Sequence, residues 1–246
     1  MLRHMTGMRA VKSFTNVPCK KEYSYMKYDV IIVGAGPAGI FSALELLEHA
    51  PGLKILMVEQ GKDIDRRRCP MDVSGVSCRS CPECDLVSGW GGAGAFSDGK
   101  LTLSTEIGGF LSRYVDAATL QSLIDYVDSI YVKCGAPDEL HGSDEKETAK
   151  IKDIAARNDL TFIPSKIRHI GTDRCKDVLK KMREAVNGKV ETIFEMDAQR
   201  IIVEKKKAVG VRLGDGSQIY ADYIVLAPGR ASSKWLESEA KRLKLN

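Results

Sequence analysis

Tyr28-Asp-Val-Ile-Ile-Val33 runs directly into Gly34-Ala-Gly36-Pro37-Ala38-Gly39, and Glu59 stands twenty positions after the last of these glycines. The β-branched run before Gly34 has the character of a strand buried on both faces. From Pro37 to His49, Ile40, Phe41, Leu44 and Leu47 recur at helical spacing. Pro51-Gly52 ends that helix, and Leu53 to Val58 forms a second strand that stops at Glu59. The stretch is therefore predicted to open a βαβ unit. Glycines at the first, third and sixth positions between strand and helix make the dinucleotide fingerprint, and each has a physical task. Gly34 permits the tight turn, Gly36 lets the backbone approach a pyrophosphate, and Gly39 lets helix and strand pack closely. The helix N-terminus offers free N–H groups and partial positive charge to phosphates. Glu59, with Gln60 beside it, is placed to accept from ribose hydroxyls. A carboxylate there disfavours a 2′-phosphate, so the site suits FAD or NAD better than NADP.

Working outward, a second glycine-rich segment, Gly89 to Lys100, holds five glycines in twelve residues. Such a density is costly to order and is expected where backbone must approach a ligand or bend sharply. Gly91, Gly92, Ala93, Gly94 and Gly99 would bring main-chain N–H groups to the cofactor, with Ser97 adding a hydroxyl and Lys100 a charge. Trp90, Phe96 and Leu101 interleave with the glycines and argue for packing rather than a mobile loop. Residues 109–133 read as mainly helical, and Gly135 to Lys150 as a polar, exposed linker. Asp173 to Val186 is an amphipathic helix, with Thr172 or Asp173 as its N-cap. Strand-like runs follow at Glu191–Phe194, Arg200–Glu204, Ala208–Leu213, Gln218–Tyr220 and Tyr223–Leu226, with Gly214-Asp215-Gly216 as a hairpin turn. A last helix begins near Ser232.

Between the two glycine-rich segments lie Cys69, Cys78, Cys81 and Cys84. Three cysteines at spacing three can wrap an iron–sulfur cluster. Four clustered thiolates also satisfy the tetrahedral preference of zinc. A metal-free structural or redox-active thiol group is the third reading, and the spacing leaves all three open. Arg66, Arg67, Arg68 and Arg79 nearby favour thiolates. Arg67 is either a reach toward adenosine phosphates or a solvated arginine. His169 is a proton donor near the cofactor or, as the sequence context favours, part of the approach to the Thr172 cap.

Composition bounds these readings. Of the 246 residues, 43% are apolar and 28% charged, the balance of a globular protein with a buried core. A net charge of +4, spread in both signs, gives no nucleic-acid surface. The most apolar stretch, Val30 to Leu47, carries glycines, Pro37 and Glu45, which excludes a transmembrane helix. The first residues are basic without an apolar core, so no secretory signal is expected and the reading is cytoplasmic. No nucleophilic Ser–His–Asp arrangement and no HExxH motif is present.

The motifs from Tyr28 to Leu47, Glu59, Gly89 to Leu101, Arg168 to Asp173 and Ala221 to Arg230 resemble the glutathione-reductase-like superfamily of FAD-binding proteins. The closer resemblance is to a bacterial and archaeal subgroup of FAD-dependent dehydrogenases. That resemblance implies FAD as cofactor, with NAD(P)H a candidate electron partner. It also implies that Ala227-Pro228-Gly229 passes beside the nucleotide, and that the backbone around Ala198 contacts the adenine. Many relatives carry Thr where Pro228 stands. The fold it implies is a three-layer, Rossmann-like α/β domain, with a parallel sheet, an antiparallel β-meander and a mainly helical insertion. The expected division is a flexible extension over 1–27, FAD-domain segments over 28–104 and 167–246, and the insertion over 105–166. The resemblance further implies a chain truncated before a returning C-terminal segment. The functional expectation is an FAD-dependent oxidoreductase, dehydrogenase-like, acting on a small molecule. A biosynthetic or RNA-modifying flavoprotein, or a non-enzymatic nucleotide-binding or thiol-sensing module, are the alternatives.

Overall fold

The computed structural model describes residues 27–72 and 76–245. The extension expected over 1–27 therefore lies, apart from Lys27, outside the described residues. Strand β1 (Lys27–Val33) leads through helix α1 (Pro37–His49) to β2 (Ile55–Val58). After the cysteine-bearing loop come β3 (Lys100–Thr102), α2 (Ala117–Lys133), α3 (Glu145–Ala156) and β4 (Ile167–His169). Then α4 (Thr172–Val186) and β5 (Val190–Ile193) precede the run β6 (Ala198–Glu204), β7 (Lys207–Leu213) and β8 (Gln218–Leu226). Helix α5 (Ser233–Leu243) follows.

The main sheet has six strands in the order β5-β2-β1-β8-β7-β6. The first four run parallel, while β7 and β6 are antiparallel additions that form the meander. This is the expected Rossmann-like α/β architecture. Val30–Val33 of β1 and the whole of β2 are uniformly apolar because both of their faces are covered. Val30, Ile32, Ile55 and Met57 pack with Ile40 and Ala43 of α1 and with Val178, Leu179, Met182 and Val186 of α4. Their alternates Ile31, Val33, Leu56 and Val58 join Val211, Leu213 and Ile219 of the meander.

Several sequence expectations change. The runs 218–220 and 223–226 are one strand, because β8 pairs with β7 through its first half and with β1 through Leu226. Asp222, which interrupts the apolar run, is paired with Lys27 at 2.6 Å. The expected linker over 135–150 contains the start of α3, whose N-cap Asp144 accepts from the backbone N–H groups of Lys146 and Glu147. Helix α4 is capped by neither Thr172 nor Asp173. Its N-cap is Gly171, at φ +85°, a conformation that glycine adopts without steric cost. The small antiparallel sheet β3–β4 was not foreseen, being too short to show alternation. It is anchored by buried Arg168, whose guanidinium meets Asp128 of α2 at 2.5 and 2.7 Å. Among the described residues, no helix is long and apolar enough to cross a membrane.

Candidate nucleotide-binding site

A cavity of about 520 Å³ opens at the carboxyl ends of β1, β2 and β8. Open α/β sheets bind ligands in this crevice, where the connections leave in opposite directions. Its floor is Gly34, Gly36 and Pro37 at the β1–α1 turn, with Glu59 and Gln60 at the end of β2. Gly92, Ala93 and Gly94 line it from the second glycine-rich segment, and Ala227, Pro228 and Gly229 from the end of β8. Ala198 also lines it, together with Met196, Asp197 and Trp235.

The glycines divide by what a Cβ atom would meet. At Gly34 it would lie 2.2 Å from the carbonyl oxygen of Ala227, and at Gly39 1.9 Å from that of Gly34. These two glycines serve packing, since β1, β8 and α1 could not otherwise approach. At Gly36, Gly94 and Gly229 a Cβ would meet nothing within 4 Å. All three line the cavity, so their missing side chains leave space in the cavity rather than a protein contact. Gly36 is also the N-cap of α1, which points the free N–H groups of the helix at that space.

Glu59 is 5% exposed and holds the site together. Its carboxylate accepts from the backbone N–H groups of Ala35 at 2.7 Å, Gly61 at 2.8 Å and Gly89 at 2.9 Å. One side chain thereby ties the fingerprint turn, the end of β2 and the second glycine-rich segment. Glu59, expected from sequence to be a ribose ligand, has a structural role that the sequence did not reveal. Arg67 is corrected more sharply. It is 1% exposed, neither solvated nor among the cavity-lining residues. Its Nε donates to the carbonyl of Asp85 and its Nη1 to that of Trp90, while its guanidinium lies over Phe96. Burial pushes its pKa down to about 10, against the opposing pull of Glu59 and Asp85. Trp90 is fully buried and donates through Nε1 to the carbonyl of Leu179. The second glycine-rich segment is therefore packed wall, as its aromatic residues predict.

Other expected ligand residues fall elsewhere. Ala38 lines a neighbouring groove with Leu226 and Leu236. Gly91, Ser97, Gly99 and Lys100 line a smaller cavity of about 200 Å³ that also touches Gly94. His169 is exposed on β4, opposite Lys100, with its ring 6.3 Å from that of His141. The sequence reading missed Ser88, Gly89, Met196, Asp197, Arg230, Ser232 and Trp235, all of which line the main cavity. Of these, Gly89 and Arg230 stand at the ends of recognised motifs and Ser88 adjoins one.

The cysteines do not fit the expected ligand set. Cys69, Cys78, Cys81 and Cys84 are free thiols, with Cys78 and Cys81 exposed. Among the described residues no three His, Cys, Asp or Glu side chains group so as to hold a metal ion. The base of their loop is pinned through Asp85, which meets Lys62 Nζ at 2.8 Å and the Arg68 N–H at 3.2 Å. Ser80 at φ +48° then curls the Cys78–Cys81 turn, its N–H 3.5 Å from Cys78 Sγ, with both thiols in solvent.

Comparison with known proteins agrees with this architecture. A profile described as the Thi4 family matches residues 11–64, which include the fingerprint and Glu59. An uncharacterized protein of Clostridium beijerinckii is 33% identical over 205 residues, 82% of this chain and 31% of its own length. The chain thus spans under a third of that relative. Among solved structures, a 3-ketosteroid-Δ4-(5α)-dehydrogenase of Rhodococcus jostii superposes with a TM-score of 0.52 at 18% identity, over 95% of this chain and 52% of its own. An L-amino acid deaminase of Proteus vulgaris gives 0.50 at 15% identity, over 89% and 50%. At these identities the likeness is one of fold.

Proposed function

We propose that this chain is the FAD-binding part of an oxidoreductase. The observation that carries the reading is the cavity edge formed by Gly36, Gly94 and Gly229, three glycines whose absent side chains leave open space at a helix N-terminus. A backbone cradle of this kind suits a pyrophosphate, because N–H groups can approach it without side-chain obstruction. Gly36, Pro37 and the first turn of α1 would hold the phosphates, and Glu59 the adenosine ribose through its remaining lone pairs. The Gly92–Gly94 wall would face the flavin end. FAD, once bound, accepts hydride or electrons from a small-molecule substrate. This chain's residues bind the cofactor, orient it and exclude water. The dehydrogenase and deaminase that share the fold support an oxidoreductase over a non-enzymatic module. No step is assigned to a metal, since the thiols do not converge.

Titration of the purified chain with FAD, followed by flavin absorbance and fluorescence, tests the reading. Saturable binding, with reduction of the bound flavin by NADH or NADPH and reoxidation by an acceptor, is the expected result. Absence of saturable FAD binding would overturn it.

A further inference from the structure

The cavity also carries side chains that the fingerprint does not account for. Trp235 and Ser232 arrive from the start of α5, and Met196 and Ala198 from the turn into β6. The indole of Trp235 is fixed in place by its Nε1, which donates to the carbonyl of Gln199 at 2.8 Å. A fixed, half-exposed aromatic ring on a cavity wall is a surface on which a planar base can stack. Beside it runs a polar chain. Ser232 Oγ donates to Gln60 Oε1 at 3.0 Å, and Gln60 Nε2 donates to Ser88 Oγ at 3.0 Å. Both serine hydroxyls can donate or accept, so the amide is held in place whichever way it is turned. In either orientation one N–H and one lone pair of Gln60 are left over.

We propose that Trp235 is the base-stacking platform of this cavity and that Gln60, strung between Ser88 and Ser232, selects adenine. A carboxamide presents a donor and an acceptor side by side. That pair matches the N6 amine and adjacent ring nitrogen of adenine, whereas guanine presents two acceptors on the same edge. The two serines cost the amide none of that complementarity and hold it where the base would lie. This inference rests on the nucleotide reading above and adds to it the residues that choose the base.

The test is calorimetric titration of the whole chain, and of its Trp235→Ala, Trp235→Phe and Gln60→Glu variants, with ADP, GDP and FMN. The wild-type chain is expected to bind ADP in preference to GDP. Trp235→Ala should weaken ADP by about tenfold to a hundredfold, the range of one lost base stack, and leave FMN unchanged. Trp235→Phe keeps a ring but loses the bond to Gln199, and is expected to retain ADP within about threefold of wild type. This separates stacking from any loosening of α5. Gln60→Glu, which can accept from the N6 amine but has no donor for the ring nitrogen, should weaken ADP binding; unchanged ADP affinity in this variant overturns the role given to Gln60. Equal ADP affinity in wild type and Trp235→Ala overturns the proposal while leaving the FAD reading intact. So does loss of ADP binding in Trp235→Phe equal to that in Trp235→Ala. Failure of the wild-type chain to bind either ADP or FAD overturns both.

Discussion

Substituting Gly36 by alanine separates a ligand's demand from the fold's demand at one position. Gly36 sits at φ −76° and ψ −177°, an extended conformation open to any residue, and a Cβ there meets nothing within 4 Å. The fold therefore has little objection. As N-cap, glycine is favoured over alanine by about 1 kcal/mol at most. The restriction of the unfolded chain by alanine returns about 0.4–1 kcal/mol. These nearly cancel, so the melting temperature of the ligand-free protein should move by no more than about 4 °C. Binding is affected differently, because the new methyl projects into the space where a phosphate must approach the first N–H groups of α1. A charge-assisted hydrogen bond lost there is worth about 1.5–3 kcal/mol, or roughly tenfold to over a hundredfold in Kd.

The matching control lies three residues away. Gly39→Ala places its Cβ 1.9 Å from the Gly34 carbonyl oxygen, a backbone atom that cannot swing aside. Overpacking of this kind costs about 1–3 kcal/mol or more, so Gly39→Ala should lower the melting temperature of the ligand-free protein. Thermal melts of both variants, paired with FAD titration calorimetry, give the comparison. If Gly36→Ala binds FAD as tightly as wild type at unchanged stability, the cradle is not a phosphate site and the assignment of the cavity fails.

Three further outcomes are expected. Glu59→Ala strips the acceptor from three buried N–H groups, each worth about 1–3 kcal/mol when left unpaired, so the ligand-free protein itself should melt earlier; an unchanged melt would refute the tying role of Glu59. Glu239 is buried, and its pKa is held below the ordinary value of 4.5 chiefly by its hydrogen bonds from Arg242, with the Ile201 N–H adding to them. Its stabilisation is present above the unfolded pKa and is lost as pH falls through the folded one. Melting curves taken from neutral pH downward should therefore show less acid destabilisation in Glu239→Gln than in wild type, and identical acid limbs would refute this. Prolonged treatment with a strong chelator should leave both melting temperature and FAD affinity unchanged, since the four loop thiols do not converge; a drop in either would restore a metal to that loop.

The fold was legible where burial on both faces leaves a continuous apolar run. Val30–Val33 and Ile55–Val58 show their character because α1 and α4 cover one side and the meander the other. The junction in β8 was not legible. Asp222 reads as a break in the apolar pattern, and only its partner Lys27, almost two hundred positions away, makes it compatible with an unbroken strand. The start of α4 was misread for a related reason. Thr172 and Asp173 are good capping residues, but the chain enters the helix through Gly171 at a positive φ that those residues rarely adopt.

The site shows the same division at finer scale. The fingerprint and the second glycine-rich segment were readable because glycines at fixed spacing have few explanations. What the sequence could not distinguish is which glycines answer to the protein and which to a ligand. Gly36 and Gly39 belong to one motif, yet only the second is filled by neighbouring backbone. Glu59 poses the same question in reverse. A carboxylate at the end of β2 suggests a ligand, while three backbone N–H groups from three segments already converge on it. Glu59 is the joint that holds these segments together, so a ligand at Glu59 would engage a carboxylate that the fold has already positioned. Such preorganisation lowers the ordering cost of binding, and it makes Glu59 the least informative residue to mutate and Gly36 the most informative.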